Sequence, residues 1–388
     1  MQTVERMAPL QDEMIALRQH LHAHPELGLE EYNTSKLVAS LLEGWGFNVA
    51  TGLGKTGVVG TLSNGTGRKA IGLRADFDAL PIFEETGLPY ASKTPGLMHA
   101  CGHDGHTSML LAAAKYLAES RSFDGTVHLI FQPAEENFGG AKLMIDDGLF
   151  DRFPCDAVFG MHNMPDLEAG VFGFKEGTLF ANADGFDVLL TGRGGHASTP
   201  ELTQDPIVAG ASIVMALQTL VSRNLDPMEA GVVTVGVFQA GRASNAIPQS
   251  ASLTVDARAF TPEVATLLKR RIPDLIRLQA ESLGVTATIT ELTGYPVLVN
   301  DVGMTQFARK IAVNTVGAAR VVDLKRPYTG AEDFSYMLQK RPGSYLVLGA
   351  KANTSQPLHN PGYDFNDQVL LTGAAYWADL AQAFLAST

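Results

Sequence analysis

A change in the order of predicted helices and strands constrains most strongly how this chain folds. Up to residue 182, and again after residue 295, apolar strands alternate with helical segments. Between residues 183 and 295 the order becomes β-α-β-β-α-β, which is that of a ferredoxin-like unit. Since 388 residues are many for one hydrophobic core, we predict two domains. An α/β domain with a mixed, largely parallel sheet (1–182 and 296–388) receives a smaller α+β domain (183–295) as an insertion.

The predicted strands of the larger domain are short apolar runs, and its helices have apolar residues at helical spacing. The strands are 70–75, 126–131, 157–161 and 345–348, and the helices are 11–24, 33–44, 107–118 and 139–147. In the inserted domain we predict, in chain order, strand 185–190, helix 205–221, strands 231–238 and 252–259, helix 262–283 and strand 285–292. Pro273 lies inside the second of these helices, and we predict that it kinks or splits that helix.

Charge and cysteine usage exclude several classes of protein. The chain has 29 basic and 41 acidic residues and a net charge of -12, which argues against a nucleic-acid partner. Two cysteines cannot form a disulfide framework, which favours an intracellular protein. Residues 1–10 lack the basic start and apolar run of a signal peptide, and we find no apolar stretch approaching the length of a membrane span. We therefore expect a cytoplasmic protein without a membrane partner.

Acidic and histidine side chains follow the predicted strands of the larger domain. In open α/β sheets, ligands bind outside the carboxyl ends of the strands, so residues distant in sequence meet there. The residues in such positions are Asp76 and Asp78 after strand 70–75, Glu135 and Glu136 after 126–131, His162 after 157–161 and His359 after 345–348. Their repetition at one edge of the predicted sheet indicates a functional site.

The densest group of candidate ligands is the segment His-Ala-Cys-Gly-His-Asp-Gly-His, residues 99–106. Cysteine, histidine and carboxylate side chains bind divalent transition metals, and two glycines allow the backbone to fold closely around an ion. A helix-capping loop, with Asp104 as the cap and the histidines in solvent, is the structural alternative. For Cys101 the alternative is a small buried apolar side chain, since only a thiolate binds metal.

Glu135 and Glu136 form an adjacent pair of acids after a strand. By itself such a pair is typical of a solvated turn or of the first turn of a helix. Beside a predicted metal site it has a second interpretation. Neighbouring side chains on a loop point in different directions, so one carboxylate can bind a metal while the other faces the attacking water.

A series of short motifs along the whole chain carries a resemblance to a known family. They are H-A-H-P-E-L-G (22–28), L-R-A-D-F-D-A-L-P (73–81), H-A-C-G-H-D-G-H (99–106), F-Q-P-A-E-E (131–136), G-M-H-N-M-P (160–165), G-R-G-G-H-A-S (192–198), S-N-A-I-P (244–248), G-A-E-D-F-S (330–335) and L-H-N-P-G-Y-D-F-N-D (358–367). In these motifs the chain resembles the zinc-type metallopeptidase and amidohydrolase family of aminoacylase and carboxypeptidases. Within that family it is most similar to the branch of hippurate hydrolase and indole-acetyl-amino-acid hydrolase.

The resemblance implies a zinc-peptidase-like catalytic domain with two divalent metal ions. The ligands it implies are Cys101, His103, Glu136, His162 and His359. Glu135 is then the general base, which takes the proton of the attacking water and returns it to the leaving amine. The His-x-Asp motif of the wider family is replaced here by Asp76-Phe77-Asp78, and we expect Asp76 and Asp78 to orient the metal ligands. His24, Glu26, Glu332 and Asp333 also lie in shared motifs, but we expect structural roles for them.

In the inserted domain the resemblance implies a lid through which such enzymes commonly form a homodimer or homotetramer. His196 is expected to stabilise the oxyanion in the site of the partner subunit. Asn245 and Arg258 resemble the pair that holds the substrate carboxylate, a role suited to a guanidinium group. Without the resemblance, His196 is more typical of a surface histidine, and Arg258 is also compatible with an ordinary surface position.

The predicted function is metal-dependent hydrolysis of the amide bond of an N-acyl amino acid, a small-molecule substrate. A dipeptidase or carboxypeptidase with the same two-metal site, or a non-catalytic metal-binding protein, are the alternatives. The presence of Glu135 argues against the non-catalytic alternative, since a binding protein does not need a general base. The residue types are compatible with zinc, manganese, nickel or cobalt.

Overall fold

The computed structural model describes residues 3–352 and 356–386, and the chain divides into two compact units. The first unit consists of Met1–Leu179, Val299–Arg326 and Asp333–Thr388, and the second of Phe180–Leu298 and Pro327–Glu332. The sequence had assigned the segment Pro327–Glu332 to the first domain, but the structure includes it in the second unit. Strands Gly177–Phe180 and Leu298–Asn300 lie where the chain passes between the units.

The first unit contains a mixed sheet of eight strands. From one edge to the other the strands are Asn48–Leu53, Gly57–Asn64, Gly125–Gln132, Ala70–Asp76, Ala157–Met164, Gly343–Gly349, Phe172–Phe174 and Val321–Asp323. The four central strands, from Gly125–Gln132 to Gly343–Gly349, run parallel to one another. The prediction of a mixed, largely parallel sheet is therefore confirmed.

Helices cover the sheet of the first unit. They are Thr3–Met7, Gln11–Ala23, Tyr32–Gly44, His103–Ser120, Gly140–Asp146, Leu149–Arg152, Val302–Val316, Ser335–Leu338 and Leu370–Phe384. Helix His103–Ser120 is buried nearly all round, including the whole run from Met109 to Ala114. Because a helix that is apolar on all sides lies inside the protein, the first turn of this helix, with His103, is held in the interior.

The second unit has the β-α-β-β-α-β order that the sequence predicts. Its elements are Asp184–Thr191, Pro206–Asn224, Gly231–Ala240, Ser250–Ala259, Pro262–Ser282 and Thr286–Glu291, and two short strands, Gly195–His196 and Ala246–Ile247, pair with each other. All pairings in its four-stranded sheet are antiparallel. One face of strand Ser250–Ala259 is buried and the other is partly exposed. This alternation is typical of a sheet with helices on one face.

Of the kink or split that the sequence predicts at Pro273, the split does not occur. Helix Pro262–Ser282 continues through Pro273 over 21 residues. Its buried residues recur at helical spacing on both sides of the proline, at Val264, Leu268, Ile272, Ile276 and Ala280. Burial of this continuous apolar face stabilises both halves of the helix and compensates for the one backbone hydrogen bond that proline cannot form.

The sequence analysis also overlooked an apolar segment of membrane length. Helix Pro206–Asn224 is long and apolar enough to cross a membrane by length and composition alone. Its residues Ala209, Ile213, Leu217 and Leu220 are buried in the core of the second unit. Their spacing of three to four residues is that of a helix packed on a protein core, which explains its apolar composition.

Candidate metal centre

The parallel strands bring the predicted ligands to one edge of the sheet. Asp76 ends strand Ala70–Asp76, and the loop with Glu135 and Glu136 follows strand Gly125–Gln132. His162 lies in the last half of strand Ala157–Met164, which extends three residues beyond its predicted end. Since neighbouring parallel strands end on the same side, these side chains converge as expected.

The loop that presents Cys101 depends on Gly102. This glycine has φ of +88°, and a Cβ atom there would collide with the side-chain oxygen of Asn163 and approach the Tyr363 hydroxyl to 2.7 Å. A residue with a side chain would therefore displace the loop. The chain enters helix His103–Ser120 directly afterwards, so Cys101 and His103 lie on either side of a fixed turn.

The predicted ligands form two overlapping groups. In one, donor atoms of Cys101, His103 and His162 lie within 4.8 Å of one another, and in the other, those of Cys101, Glu136 and His359 do. The Cys101 Sγ is 3.3 Å from His162 Nε2, and His359 Nε2 is 3.2 Å from Glu136 Oε1. Cys101 belongs to both groups.

Hydrogen bonds fix which ring nitrogen each histidine presents to the cluster. The Nδ1 of His103 donates to Asp78, at 3.0 Å from its backbone oxygen and 3.1 Å from its carboxylate. The Nδ1 of His162 donates to the backbone oxygen of Asn163 at 2.7 Å. In the neutral form of both rings Nε2 therefore carries the lone pair, which is the state needed to bind a metal.

His106 lies beside the same cluster but has no lone pair to offer. Its Nε2 accepts a hydrogen bond from the backbone N–H of Asn163 at 3.0 Å, and its Nδ1 donates to Asp76 at 2.6 Å. The other carboxylate oxygen of Asp76 accepts from Arg74 at 2.7 Å. Asp76, His103 and His106 are close enough together to hold an ion, but His106 and Asp76 already have other partners.

Two further members of the segment 99–106 also stay outside the cluster. Asp104 is buried against His22 and Arg18. Its carboxylate lies 2.8 Å from Nδ1 of His22. His99 is buried, and neither of its ring nitrogens has a hydrogen-bond partner within the described chain. Burial lowers the pKa of His99 to about 4, so this imidazole is neutral at neutral pH.

Asp78 holds the loop of the two glutamates as well as His103. Its second carboxylate oxygen accepts from the backbone N–H of Glu136 at 3.0 Å. The Glu135 carboxylate is buried and accepts from the backbone N–H of Asp333 at 3.3 Å. The Asp333 carboxylate itself is bound by Arg74, Gln132 and the backbone N–H of Ala141.

The electrostatics of the cluster favour a bound cation. Burial raises the pKa of the Cys101 thiol well above its usual value, and the carboxylates of Glu136 and Glu135 raise it further. Burial lowers the pKa of His103, but Asp76 and Asp78 outweigh this effect and raise it to about 10. The close contact with the Glu136 carboxylate raises the pKa of His359. Buried carboxylates thus attract positive charge, which a proton or a metal ion can supply.

The donor atoms fit divalent metal ions. The Nε2 of His103 and the Oε1 of Glu136 are buried without a hydrogen-bond partner in the parts of the chain that the structure describes. The contact of His359 with Glu136 is close enough for an ion pair but does not have hydrogen-bond geometry. Buried polar atoms are rarely left without a partner, so these atoms indicate a ligand. The combination of thiol, imidazole and carboxylate is typical of zinc and related metals.

Backbone strain occurs twice at the cluster. His359 has φ of +64° and Ala134, immediately before Glu135, has φ of +52°, although neither is glycine. The backbone N–H of His359 donates to the carbonyl oxygen of Ala100 at 2.8 Å, which places the imidazole next to Cys101. Strained residues persist where the surrounding structure holds them, and they cluster at functional sites.

In the second unit, His196 is exposed and its ring orientation is set locally. Its Nδ1 accepts from the backbone N–H of Ser198 at 3.2 Å and lies 2.7 Å from the Ser198 hydroxyl. Since a backbone N–H can only donate, the neutral ring carries its proton on Nε2. His196 therefore presents an N–H donor, which is what stabilisation of an oxyanion requires.

The two predicted substrate-binding residues are also in the second unit. The guanidinium of Arg258 forms a two-pronged ion pair with Asp256, with both N···O distances 3.0 Å. Asn245 is exposed, and its backbone carbonyl oxygen accepts a hydrogen bond from the backbone N–H of Ala197 at 3.0 Å. Arg258 is thus partly engaged, and the role of this pair in binding a substrate carboxylate stays a prediction.

The sequence analysis missed several residues that organise the centre. Arg74, Gln132, Asn163 and Tyr363 are buried beneath it, and Asn163 donates to the Tyr363 hydroxyl at 2.7 Å. One signal was available for Arg74, because a charged residue inside the apolar strand 70–75 needs buried acidic partners. Asn163 and Tyr363 give no such signal, since their contacts join distant parts of the chain.

Comparison with known proteins agrees with this geometry. Residues 72–383 match the family described as peptidase family M20/M25/M40. A hippurate hydrolase from Campylobacter jejuni is 43% identical over 99% of this chain and 100% of its own length. The IAA-amino acid hydrolase ILR1-like 4 of Arabidopsis thaliana is 39% identical, over 96% of this chain and 86% of its own. The crystal structure of a dinuclear metal-binding peptidase of the M20 family from Bacillus subtilis superposes with a TM-score of 0.83 at 32% identity and covers 98% of this chain and 99% of its own.

Proposed function

The chain belongs to peptidase family M20/M25/M40, and on that premise we propose how its own residues bind two divalent metal ions and hydrolyse an amide bond. It is a metal-dependent amidohydrolase of the hippurate hydrolase branch. Its substrates are N-acyl amino acids, with an acetyl, benzoyl or aryl-acetyl group, and the products are the carboxylic acid and the free amino acid.

The proposed ligands are the two overlapping groups of the metal centre, His103 and His162 with Cys101, and Glu136 and His359 with Cys101. The observation that carries this assignment is the hydrogen bonding of the two buried histidines. Each has its Nδ1 bound to an oxygen, so that in the neutral ring the lone pair is on Nε2, the nitrogen available to a metal. Asp78 orients both His103 and the backbone of Glu136, while Asp76 acts through His106 and Arg74.

Bound divalent ions lower the pKa of a water molecule and polarise the scissile carbonyl group. Glu135 accepts the proton of the attacking water and returns it to the leaving nitrogen. Its carboxylate is held by the backbone N–H of Asp333, and its position next to Glu136 places it beside the ligands. Burial of Cys101, His103, Glu135 and His162 limits the access of bulk water to this side of the site.

We further propose roles for the candidates in the second unit. His196 donates from Nε2 to the oxyanion that forms at the carbonyl, and it serves the site of a partner subunit in a homodimer or in a homotetramer built from one. Asn245 and Arg258 bind the α-carboxylate of the substrate, and Asp256 holds the guanidinium in place until then. The long edge strand Gly231–Ala240 supports the dimer, because an edge strand can pair with the same strand of a subunit related by two-fold symmetry.

The proposed location is the cytoplasm, and the proposed partners are a small-molecule substrate and further copies of the chain. The acidic net charge of -12 supports the absence of a nucleic-acid partner. The buried face of helix Pro206–Asn224 supports a protein that works away from the membrane.

The test of the function compares Glu135→Gln with Glu136→Gln. The protein is supplied with zinc, manganese, nickel or cobalt, and turnover of N-acetyl, N-benzoyl and indole-acetyl amino acids is measured beside metal content. Glu135→Gln should retain metal and lose turnover by about 100-fold or more, as expected for loss of a general base. Glu136→Gln should release metal.

The outcomes separate the alternatives. If Glu135→Gln releases metal while Glu136→Gln retains it, the two roles are exchanged. Turnover of unblocked dipeptides in preference to all the N-acyl amino acids would instead support a dipeptidase. No turnover of any amide by metal-saturated protein would contradict the proposed function.

A further inference from the structure

A buried carboxylate outside the metal centre reaches the loop of the two glutamates. Glu31, the residue before helix Tyr32–Gly44, is fully buried. One of its carboxylate oxygens accepts from the Thr56 hydroxyl at 2.6 Å. The other accepts from the backbone N–H of Ala134 at 2.9 Å. Glu31 is 103 residues from Ala134 in sequence, so this hydrogen bond joins two distant parts of the first unit.

Ala134 is the residue on which the direction of the loop depends. It follows strand Gly125–Gln132 and immediately precedes Glu135, and its φ of +52° is in the left-handed region that alanine rarely adopts. Gly28 packs closely against this residue, since a Cβ atom on Gly28 would lie only 3.0 Å from the Cα of Ala134. The conformation is therefore imposed by the surroundings, and the bond to Glu31 is one of the constraints.

Two carboxylates hold this loop by its backbone. Glu31 holds the N–H of Ala134, and Asp78 holds the N–H of Glu136 two residues further on. Glu135 lies between the two anchored amides. Asp78 also bonds to His103, so it is tied to the ligands themselves, whereas the hydrogen bonds described between the Glu31 carboxylate and other residues go to Thr56 and Ala134.

The burial of Glu31 has an energetic cost that packing does not explain. Within residues 3–352 and 356–386, Glu31 forms no ion pair with a lysine, arginine or histidine. Burial raises its pKa to about 7, although the hydrogen bond from Thr56 opposes this. A buried acid without a cation is normally replaced by an apolar side chain unless its hydrogen bonds are needed. An apolar side chain could make neither the bond to Thr56 nor the bond to Ala134, and the second of these is the one that reaches the loop of the two glutamates.

We propose that Glu31 is a positioning residue that holds Ala134 in its left-handed conformation and thereby aims the Glu135 carboxylate at the attacking water. The proposal rests on the proposed role of Glu135 as general base. Glu31 does not touch the metal ligands, so its removal lowers the rate of the chemical step and leaves metal content and KM unchanged. A small misplacement of a reacting group lowers rates by up to about 100-fold, which sets the scale of the effect.

The experiment uses substitutions of Glu31 and a control at Thr56 in the metal-loaded protein. Glu31→Leu removes the acceptor for the Ala134 N–H, and kcat should fall by about 10-fold to 100-fold with KM and metal content within about two-fold. Glu31→Gln keeps an oxygen for Ala134 and an amide for Thr56, and kcat should stay within about two-fold of wild type. Thr56→Val removes the other contact of the same carboxylate and should also leave kcat within about two-fold.

Glu31→Asp replaces Glu31→Leu as the test variant if the leucine variant does not fold. It keeps the charge at the start of the helix but shortens the side chain by one methylene, so it draws the carboxylate away from Ala134, and kcat should again fall with metal retained. Hydrogen exchange of the Ala134 amide provides a readout that does not depend on activity. The amide should be protected in wild type and in Thr56→Val, and should exchange faster in Glu31→Asp or Glu31→Leu.

The results distinguish a failure of this proposal from a failure of the proposed function. Unchanged kcat in both Glu31→Asp and Glu31→Leu, or a wild-type Ala134 amide that exchanges like an exposed one, would overturn the positioning role while Glu135 remained the base. Equal losses of kcat in Thr56→Val and Glu31→Leu would reduce Glu31 to a structural residue. Full turnover by Glu135→Gln would instead contradict the proposed function, whatever the exchange of Ala134 shows.

Discussion

The two groups of candidate functional residues differ in how firmly the chain holds them. In the metal centre, His103 and His162 are buried, and a hydrogen bond on the far ring nitrogen fixes each of them. In the second unit, His196 and Asn245 are exposed, and Arg258 is partly exposed and paired with its neighbour on the same strand, Asp256. The metal centre is organised within the chain, whereas the side-chain hydrogen bonds described for His196 and Arg258 go to residues two positions away in sequence.

This difference indicates which functions a single chain completes. Metal binding needs donor atoms at fixed distances, and a buried network with few alternative conformations provides them. Residues that recognise a substrate or act in a partner subunit need to be accessible, and they become ordered when the substrate or partner binds. We therefore expect substitutions of the metal ligands and of the residues that orient them to affect metal content, and substitutions in the second group to affect only catalysis and KM.

The largest effect is expected for the ligands themselves. Cys101→Ala and His103→Ala should lose metal and reduce activity by more than the roughly 10-fold to 100-fold that follows the removal of a residue that orients a ligand. Elemental analysis of the purified variants measures this directly. Cys155→Ala is the matched control, because Cys155 is the other buried cysteine and lies outside the cluster. Variants that retain as much metal as wild type would remove Cys101 or His103 from the ligand set.

The next effect concerns Asp78. Asp78→Asn should weaken metal affinity by about 10-fold to 100-fold, because it disturbs the hydrogen bond that orients His103. Competition with a chelator measures the affinity. Asp256→Asn changes a carboxylate of the second unit that is also paired, and it should leave metal affinity unchanged. If the two variants behave alike, the contrast between the regions is wrong.

A smaller and more specific effect is expected for Arg258. Arg258→Ala should lower kcat/KM for an N-acyl amino acid by about 10-fold to 100-fold, since a charge-assisted hydrogen bond to the α-carboxylate is lost. For the corresponding amide, kcat/KM of the wild type should already be low, and Arg258→Ala should not lower it further. Asp256→Ala is the control, because it removes the partner and keeps the guanidinium. Equal rates of wild type on acid and amide would exclude Arg258 from the binding site.

The smallest signal comes from mixing two inactive variants. If His196 acts in the partner's site, Glu135→Gln and His196→Ala subunits that exchange should together regain about a quarter of wild-type activity, because about half of random dimers are mixed and one of their two sites is intact. The same mixture without subunit exchange is the control. A mixture that stays inactive after exchange, or a fully active monomer, would place His196 in its own subunit's site or outside catalysis.

Much of the fold of the first unit follows from the sequence, because its strands are apolar runs. Strand 70–75 is predicted within one residue of its observed end. Strand 157–161 is predicted three residues too short, because His162 and Asn163 are polar and yet buried in the sheet. Residue type alone predicts that such side chains are exposed to solvent, whereas their place in the metal centre explains their burial.

The composition of the metal centre is predictable, but the roles within it are not. The segment 99–106 contains His99, His103 and His106, and residue types and spacing do not separate a ligand from its neighbours, so that His103 is singled out only by the family resemblance. The difference between His103 and His106 depends on one backbone N–H, that of Asn163, which occupies the Nε2 of His106. The strained backbone of Ala134 and its bond to Glu31 likewise join distant segments. Contacts of this kind belong to the tertiary structure and leave no local pattern.

The most direct test of the account is an anomalous-scattering map of a crystal of the metal-loaded protein. The account predicts two peaks in the first unit, enclosed by Cys101, His103, Glu136, His162 and His359, with the Cys101 Sγ about 2.3 Å from a metal if the ion is zinc. It also predicts no peak bound to His106. A single peak, or a peak bound by His106 and Asp76 in place of Cys101, would contradict it.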